Sequence, residues 1–112
     1  MSLQLEKKSV DFHGQRYELT CNMAALEALE EEHGGSMKAV FEDSVDHVNA
    51  ALFRIMLNEA RAERGAEPVD RRQIAREYSY AMLRELDIFG MFLRAMSPEA
   101  AGNHNKEEPA KN

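Results

Sequence analysis

The residues best suited to chemistry in this 112-residue chain are four histidines, one cysteine and a set of acidic side chains. Glu30 and His33 stand three positions apart, so a helix would place both on one face, as di-metal carboxylate sites require. Such a site also needs a second Glu-x-x-His pair on a facing helix, and the sequence contains no second pair. We therefore interpret Glu30 and His33 as a solvated helix end, with His33 near the negative end of the helix dipole.

Asp43, His47 and Cys21 are the other residues whose positions suit a site. Asp43 and His47 are four positions apart, but the sequence places no third ligand beside them, and Asp43 is interpreted as a helix cap. Cys21 precedes a predicted helix, where the pKa of a thiol can fall, yet a nucleophile also needs a base and an orienting group. Because Cys21 continues the inward alternation of Tyr17 and Leu19, we predict a buried structural cysteine. We predict no catalytic residue, no cofactor and no metal.

Arginine is concentrated around one predicted interhelical loop, at positions Arg61, Arg64, Arg71, Arg72 and Arg76. Four acidic residues are interleaved with them, namely Glu59, Glu63, Glu67 and Asp70. This mixture predicts a solvated, salt-paired surface. The formal net charge of −6 also disfavours nucleic acid, because an acidic protein repels phosphate backbones. A small DNA-binding regulatory protein that uses the Arg61–Arg76 region is the alternative function.

The elements that must position these residues begin with a β-hairpin over about residues 3–20. Val10 and Phe12 alternate with polar neighbours, and so do Tyr17 and Leu19, which places all four on one face. A type II′ turn at Gly14-Gln15 would set Phe12 opposite Tyr17 and Val10 opposite Leu19. An open edge of this hairpin would favour pairing with a second copy, so a homo-oligomer stays an alternative.

Helices are expected from about residue 22 to residue 96. The predicted N-caps are Asn22, Ser36, Asp43 or Ser44, and Asp70, the last with Gln73 in a capping box. Gly34-Gly35 and Gly65 are predicted helix ends. The predicted inward stripes are Met23, Leu26 and Leu29; Met37, Val40 and Phe41; Val45, Val48, Leu52, Ile55 and Met56; and, in one helix that starts after Asp70, Ile74, Tyr78, Ala81 and Met82.

These patterns predict an α+β fold that is mostly helical, with an N-terminal β-hairpin, four to five helices and a disordered C-terminal tail. We expect one compact domain over residues 1–97 and a flexible tail over 98–112, which has no large apolar residue. No apolar stretch approaches the roughly 18 residues that a membrane span needs. The start of the chain lacks the pattern of a signal peptide, so we expect a cytoplasmic protein.

The most suggestive surface is a dense apolar segment near the end of the predicted helices. Methionine and aromatic residues serve adaptable protein-binding surfaces, although core packing explains the same residue types. A second apolar stripe on the long helix adds two more residues to this candidate. The predicted partner-binding residues are Phe53, Leu57, Phe89, Met91, Phe92, Leu93 and Met96.

The order of these elements resembles a known family. A hairpin that ends in Tyr17-Glu18-Leu19-Thr20 runs directly into Asn22-Met23-Ala24-Ala25-Leu26-Glu27-Ala28-Leu29-Glu30, and Gly34-Gly35-Ser36 and several short helices follow. Over residues 10–96 the chain resembles the tail assembly chaperones of long-tailed phages, including the small tail proteins of this type in prophages and gene transfer agents. The shared features are caps, glycine stops and core positions, which indicate a common fold more than a common site.

The resemblance implies a non-catalytic role in phage tail morphogenesis within a bacterial host cell. Such chaperones coat the tape measure protein, a very long helical chain, and keep it soluble while the tail tube polymerises around it. The implied partner is therefore the tape measure protein. An adaptable apolar groove and an acidic exterior suit this task, and we expect both here.

Overall fold

A computed structural model describes residues 5–97 of the chain. Two strands come first, β1 (Lys7–Phe12) and β2 (Gln15–Thr20). Helices follow as α1 (Met23–Glu32), α2 (Met37–Glu42), α3 (Val45–Ala62), α4 (Arg71–Ala75), α5 (Tyr80–Glu85) and α6 (Ile88–Met96). The predicted class, a hairpin followed by helices, is confirmed, although the described residues form six helices instead of four or five. Leu3 and the predicted tail over 98–112 lie outside the described residues.

The hairpin has the predicted buried face but a different register. Val10 lies opposite Tyr17, and Phe12 lies opposite Gln15, so the predicted turn at Gly14-Gln15 is wrong. The turn residues are His13 and Gly14, which both have positive φ angles, of 52° and 77°. Two consecutive positive φ angles are those of a type I′ turn, whose backbone twist matches the right-handed twist of the strands. The shift of two residues keeps every side chain on its predicted face.

Side-chain caps define most helix starts as predicted. Asn22 accepts from the Ala25 amide at 2.8 Å, and Ser36 and Ser44 cap α2 and α3 in the same way. Asp70 and Gln73 form both hydrogen bonds of a capping box. Each cap supplies an acceptor for an amide that the helix itself leaves without a partner, which typically stabilises a helix by about 1 kcal/mol.

The long helix α3 forms the centre of the hydrophobic core. One of its faces packs on β2 and α1, and others pack on α5 and α6. Its buried apolar residues are Val48, Leu52, Phe53, Ile55, Met56 and Leu57. Cys21 is buried in the same cluster. Because α3 contacts elements from both ends of the described chain, the hairpin and the C-terminal helices share one core.

Several predicted inward positions are wrong, and each lies at a helix start or on a short helix. Met23 is 75% exposed, and Phe41, Val45 and Met82 are exposed as well. Ala81 is also exposed. Met23 and Val45 are the first residues of α1 and α3, and the six-residue helices α2 and α5 bury one residue each. In α5 that residue is Leu83.

The predicted single helix after Asp70 is divided into α4 and α5. The chain leaves the helix after Arg76, becomes extended at Ser79, and restarts when the Ser79 hydroxyl accepts from the Met82 amide at 3.1 Å. Tyr78, inside the break, packs on Phe53 with ring centroids 4.7 Å apart, and its hydroxyl donates to the Asp11 carbonyl. These contacts pull the chain toward the hairpin, and a continuous helix would lose them.

None of the helices within residues 5–97 combines the length and the hydropathy needed to cross a bilayer.

Candidate partner-binding surface

An apolar groove lies where α3, α4 and α5 meet. Its walls come from Ala50 of α3, Ile74 and Ala75 of α4, and Tyr80 and Leu83 of α5. The groove encloses about 270 Å³, slightly below the ~300–1,000 Å³ of ordinary small-molecule pockets. Its size therefore suits a few side chains of a partner. Tyr80 remains 44% exposed at its edge, where it could contact such a partner.

The break between α4 and α5 creates this groove. Because the chain is extended at Ser79, α5 starts in a new direction and leaves the space beside Ala75 uncovered. Tyr78 forms part of the groove lining while its hydroxyl holds the Asp11 carbonyl of β1. Burial raises the pKa of Tyr78, with the nearby Asp11 and Glu77 carboxylates contributing, so this hydroxyl remains a donor at neutral pH. A hydrogen bond from the protonated Tyr78 hydroxyl to the Asp11 carbonyl thus connects the groove lining to the hairpin.

Three arginines on and just after α4 have no partner within the described chain. Arg71 lines the groove, and Arg72 and Arg76 are exposed. No ion pair or side-chain hydrogen bond of residues 5–97 involves any of the three. The neighbouring carboxylates are engaged elsewhere, since Asp70 caps the Gln73 amide and Glu77 contacts His13. The side of the groove next to α4 is therefore positively charged.

Arg61 and Arg64, at the end of α3, are engaged with the hairpin instead. Arg61 donates to the Tyr17 hydroxyl at 3.1 Å and to the Glu67 carbonyl at 2.9 Å. Arg64 lies 4.6 Å from the centre of the Tyr17 ring and donates to the Arg16 carbonyl at 2.6 Å. None of the five arginines of the predicted patch pairs with a carboxylate in the part of the chain that is described. The predicted salt-paired surface is therefore wrong.

Both edges of the hairpin are covered near its turn. The Tyr78 hydroxyl donates a hydrogen bond to the Asp11 carbonyl on the β1 edge, and Arg64 donates one to the Arg16 carbonyl on the β2 edge. Farther along β1, Lys8 donates to the Leu86 carbonyl between α5 and α6. A strand of a second copy would have to displace these side chains before it could pair there.

Most of the predicted partner-binding residues belong to the core. Phe53, Leu57, Met91 and Phe92 are buried, so a partner cannot reach them in this conformation. Phe89 and Leu93 are partly buried against the same core. Met96, at the end of α6, is 38% exposed and keeps the predicted accessibility. The segment read as an excess of apolar residues is thus mainly the packing of α6 against α3.

A smaller apolar area remains beside α6. Phe41 of α2 is 51% exposed and packs its ring 5.3 Å from that of Phe92. Phe89 packs on Phe92 from another side, at 5.5 Å. Met96, one turn beyond Phe92 in α6, is a further exposed apolar side chain of this region at which a partner could be tested.

The histidines and carboxylates near the α1–α3 junction form a hydrogen-bonded bridge. His33 contacts the Leu29 carbonyl through Nδ1 at 2.8 Å and the Asp43 carboxylate through Nε2 at 3.0 Å. The second oxygen of Asp43 accepts from the Ser44 amide at 2.8 Å and lies 3.2 Å from Nδ1 of His47. The backbone hydrogen bond, followed by that to Asp43, raises the pKa of His33, and the His33 contact lowers the pKa of Asp43.

The predicted solvated helix end is wrong for His33, because its side chain is only 13% exposed and takes part in this bridge. His33 faces Asp43, a residue that sequence spacing linked with His47 only, because α2 folds back on α1 and brings the two together. Within residues 5–97, no three His, Cys, Asp or Glu side chains converge as metal ligands would.

Cys21 is a buried thiol, as predicted. Burial raises its pKa to about 11, with smaller contributions from Glu59 and Glu6. At neutral pH the side chain is therefore protonated, and a protonated, buried thiol is a poor nucleophile. Its position near a helix start does not produce the lowered pKa that this location can give.

The groove residues Tyr80 and Ala75 are the functional candidates that sequence reasoning missed. The helical spacing of Ile74, Tyr78 and Ala81 predicted one continuous inward face, and a groove requires that face to be interrupted. Ser79 was the available signal, because serine is favoured at an N-cap and disfavoured inside a helix.

Comparisons of the chain with protein-family models, curated proteins and solved structures return no match. The resemblance to tail assembly chaperones rests on the residues quoted for it above.

Proposed function

We propose that this chain is a non-catalytic protein-binding factor of phage tail morphogenesis, a tail assembly chaperone that binds the tape measure protein. The observation that carries the proposal is the open apolar groove between α3, α4 and α5. A groove of about 270 Å³ can receive a few apolar side chains of a helix, which is how helix-in-groove recognition works. A tape measure protein consists largely of helix and would offer many such segments.

The surroundings of the groove support the same proposal. A chaperone must release its client when the tail tube assembles, so each contact should be modest in area. A shallow groove with one half-exposed aromatic side chain, Tyr80, meets that requirement better than a deep pocket would. The acidic net charge of −6 also suits a protein that must keep an aggregation-prone client soluble.

Co-expression with the tape measure protein of the same prophage tests the proposal. We expect the tape measure protein to be insoluble alone and soluble, in complex with this chain, when both are made together. The complex should also be recovered when the tagged chain is purified from its host after prophage induction. An equally insoluble tape measure protein in both cultures, with none bound to the tagged chain, would end the proposal.

Three single substitutions locate the contact. Tyr80→Ser changes the groove edge, Met96→Ser changes the α6 area, and Met23→Ser removes an exposed methionine of α1 that lines neither surface. We expect Tyr80→Ser to lower the amount of soluble complex and Met23→Ser to leave it unchanged. Loss with Met96→Ser alone would move the contact to the area predicted from the sequence.

A small DNA-binding regulator is the second candidate function. It is favoured by Arg71, Arg72 and Arg76, which have no partner within residues 5–97, since cationic side chains without such partners can contact phosphates. Against it, α4 has five residues, which is short for a helix that must read the major groove. Binding to duplex DNA that weakens steeply with salt would support this function, and no binding at low salt would exclude it.

A further inference from the structure

We infer that the groove between α3, α4 and α5 binds an amphipathic helix whose apolar stripe is flanked by acidic residues. The inference rests on the proposed function in naming the kind of tape measure segment that would bind. Its physical basis is the combination of an apolar groove with cations beside it that have no partner among the residues that the structure describes. Neither feature alone would specify a partner.

The charge of the α4 side is the decisive observation. Arg71 is the charged residue that lines the groove, and Arg72 and Arg76 are exposed and each follow a lining residue, Arg71 and Ala75, by one position. Their acidic neighbours are already engaged, Asp70 as a cap and Glu77 with His13. A helix seated in the groove would therefore meet cations that no carboxylate of the described chain neutralises.

The rest of the protein makes this local charge unusual. The chain carries 20 acidic and 14 basic residues, so a generic acidic partner would be repelled by most of its surface. An acidic helix is attracted most where the arginines of α4 are exposed without a carboxylate partner in the described chain, which gives the interaction a preferred site and orientation. A basic helix would be attracted to the remaining surface and repelled at the groove.

The size of the groove fits one or two turns of such a helix. Apolar side chains at positions i, i+3 and i+4 project from one helix face and would occupy the space between Ala75, Tyr80 and Leu83. Acidic residues one position outside this stripe would then face the guanidinium groups. The expected recognition pattern is therefore an apolar stripe with glutamate or aspartate on the side that lies next to α4.

A pair of designed peptides tests the inference with the full chain. The first is a fluorescent helix of about 18 residues, roughly 27 Å long, with leucine at i, i+3, i+4 and i+7 and glutamate on both flanks. The second has lysine in place of every glutamate. Fluorescence anisotropy should show the acidic peptide binding about tenfold more tightly than the basic one at low salt, which is what three exposed ion pairs can contribute together. The preference should fade near 1 M salt, where the Debye length is about 3 Å.

Two variants with equal charge assign the preference to the groove. The first combines Arg71→Gln, Arg72→Gln and Arg76→Gln, and should remove the preference for the acidic peptide. The matched control combines Lys7→Gln, Arg16→Gln and Lys38→Gln, which are exposed positions away from the groove. It should retain the preference. Ala75→Trp, which fills the groove without a change of charge, should weaken the binding of both peptides.

Several results would overturn the inference. Equal binding of the two peptides, or equal effects of the two triple variants, would mean that the arginines do not select the partner. Binding of duplex DNA through the same arginines, with no peptide bound, would assign the surface to nucleic acid. Self-association that Ala75→Trp abolishes, measured by light scattering, would assign the groove to a second copy.

The outcomes separate this inference from the proposed function. If the chain prefers the acidic peptide but does not keep the tape measure protein soluble, the groove binds an acidic helix and the chaperone role is rejected. Solubilisation that survives Ala75→Trp and the loss of the three arginines would keep the chaperone role and reject the groove.

Discussion

The end of α3 and the α4 segment are joined by one short loop, and both carry arginines, but the two regions differ in what surrounds these side chains. At the end of α3, Arg61 and Arg64 enclose the ring of Tyr17 and donate to its hydroxyl and to backbone carbonyls. Around α4, Arg71, Arg72 and Arg76 form no ion pair, side-chain hydrogen bond or ring contact within the described residues. The first region fastens the hairpin to the helices, and the second is available to a partner.

This difference shows that a basic cluster in a sequence can contain two kinds of arginine. Arg61 and Arg64 stabilise the fold, because their guanidinium planes cover an aromatic ring and their hydrogen bonds cross from α3 to β2. The arginines of α4 contribute little to the fold, since exposed charges without partners gain little from their position. Stability and binding should therefore respond to different arginines, and the predictions below test this division.

The largest expected contrast is between two tyrosines, one in each region. Tyr17→Ala should lower the free energy of unfolding by about 3–5 kcal/mol, because it leaves a cavity under Arg61 and Arg64 in the core. Tyr80→Ala, at the groove edge, should cost about 1 kcal/mol or less, because much of its ring remains in solvent. Urea unfolding followed by circular dichroism measures both.

The binding readout should show the opposite order. Tyr80→Ala is expected to weaken the binding of the acidic peptide. Tyr17→Phe, which removes the hydroxyl but keeps the ring, should bind this peptide as tightly as the unmodified chain does. Equal stability losses for the two alanine variants would contradict the division into a fastening region and a binding region.

Much of the region in which the end of α3 packs on the hairpin could be predicted from the sequence, because it depends on short-range patterns. Strand alternation places Val10, Phe12, Tyr17 and Leu19 on one face, whatever the turn. Predicting the register would also have required the positive φ angle of His13, which is uncommon for any residue other than glycine. Histidine adopts this conformation more often than bulky residues do, but glycine at position 14 is the stronger signal and suggested a turn one residue later.

The second contrast is between two arginines. Arg61→Ala should lower the free energy of unfolding by about 1–2 kcal/mol, because it removes hydrogen bonds to Tyr17 and to the Glu67 carbonyl as well as the contacts with the Phe12 and Tyr17 rings. Arg72→Ala should change it by no more than a few tenths of a kcal/mol. Chemical denaturation of both variants side by side checks this, and an equal loss in both would reveal a hidden partner of Arg72.

The binding region could not be predicted in the same way, because it depends on contacts between distant residues. The interleaved carboxylates predicted salt bridges around the arginines. Instead, Asp70 caps α4, and Arg61 donates a hydrogen bond to the backbone carbonyl of Glu67 and not to its carboxylate. The groove itself requires Ala50 and Leu83 to meet around a break in a helical pattern. Ser79 was the signal of that break in the sequence, and the tertiary contacts of Tyr78, which no local pattern shows, accompany it.

The third prediction concerns the cap that restarts the chain after this break. Ser79→Ala should cost about 1 kcal/mol, because the Met82 amide loses its acceptor and α5, with six residues, has few others to hold it. Ser79→Asn keeps an acceptor and should cost much less. Hydrogen exchange should show faster exchange in α5 with unchanged protection in α3. Equal acceleration in both helices would mean that the two regions unfold together.

The smallest expected effect is a pH dependence at the bridge between His33 and Asp43, neither of which lines the groove. Nδ1 of His33 faces the Leu29 carbonyl, which can only accept, so Nε2 also carries a proton when it donates to Asp43. Glu32 adds a smaller electrostatic contribution, and His47 contacts Asp43 from its other side. The geometry therefore favours the doubly protonated imidazole.

The sign of the effect follows from the two pKa directions. Because the pKa of His33 is raised above 6.5, its contribution to stability is full below that pH and is lost as the pH rises through the folded-state pKa. Because the pKa of Asp43 is lowered below 3.8, its contribution is full above that pH and is lost only in stronger acid. The bridge should thus be most stabilising between these two values.

Urea midpoints at about pH 6 and about pH 8.5 measure this dependence in the unmodified chain and in His33→Gln. We expect the unmodified chain to lose about 1 kcal/mol or less over this interval relative to His33→Gln, which cannot titrate. His47→Gln is the control, since His47 is more exposed and should leave most of the dependence in place. The same pH change should not alter the preference of the groove for the acidic peptide, because the arginines that select it keep their charge throughout. A parallel loss of peptide preference and stability would show that the bridge and the groove are coupled through α3, and the two regions would then have to be treated as one.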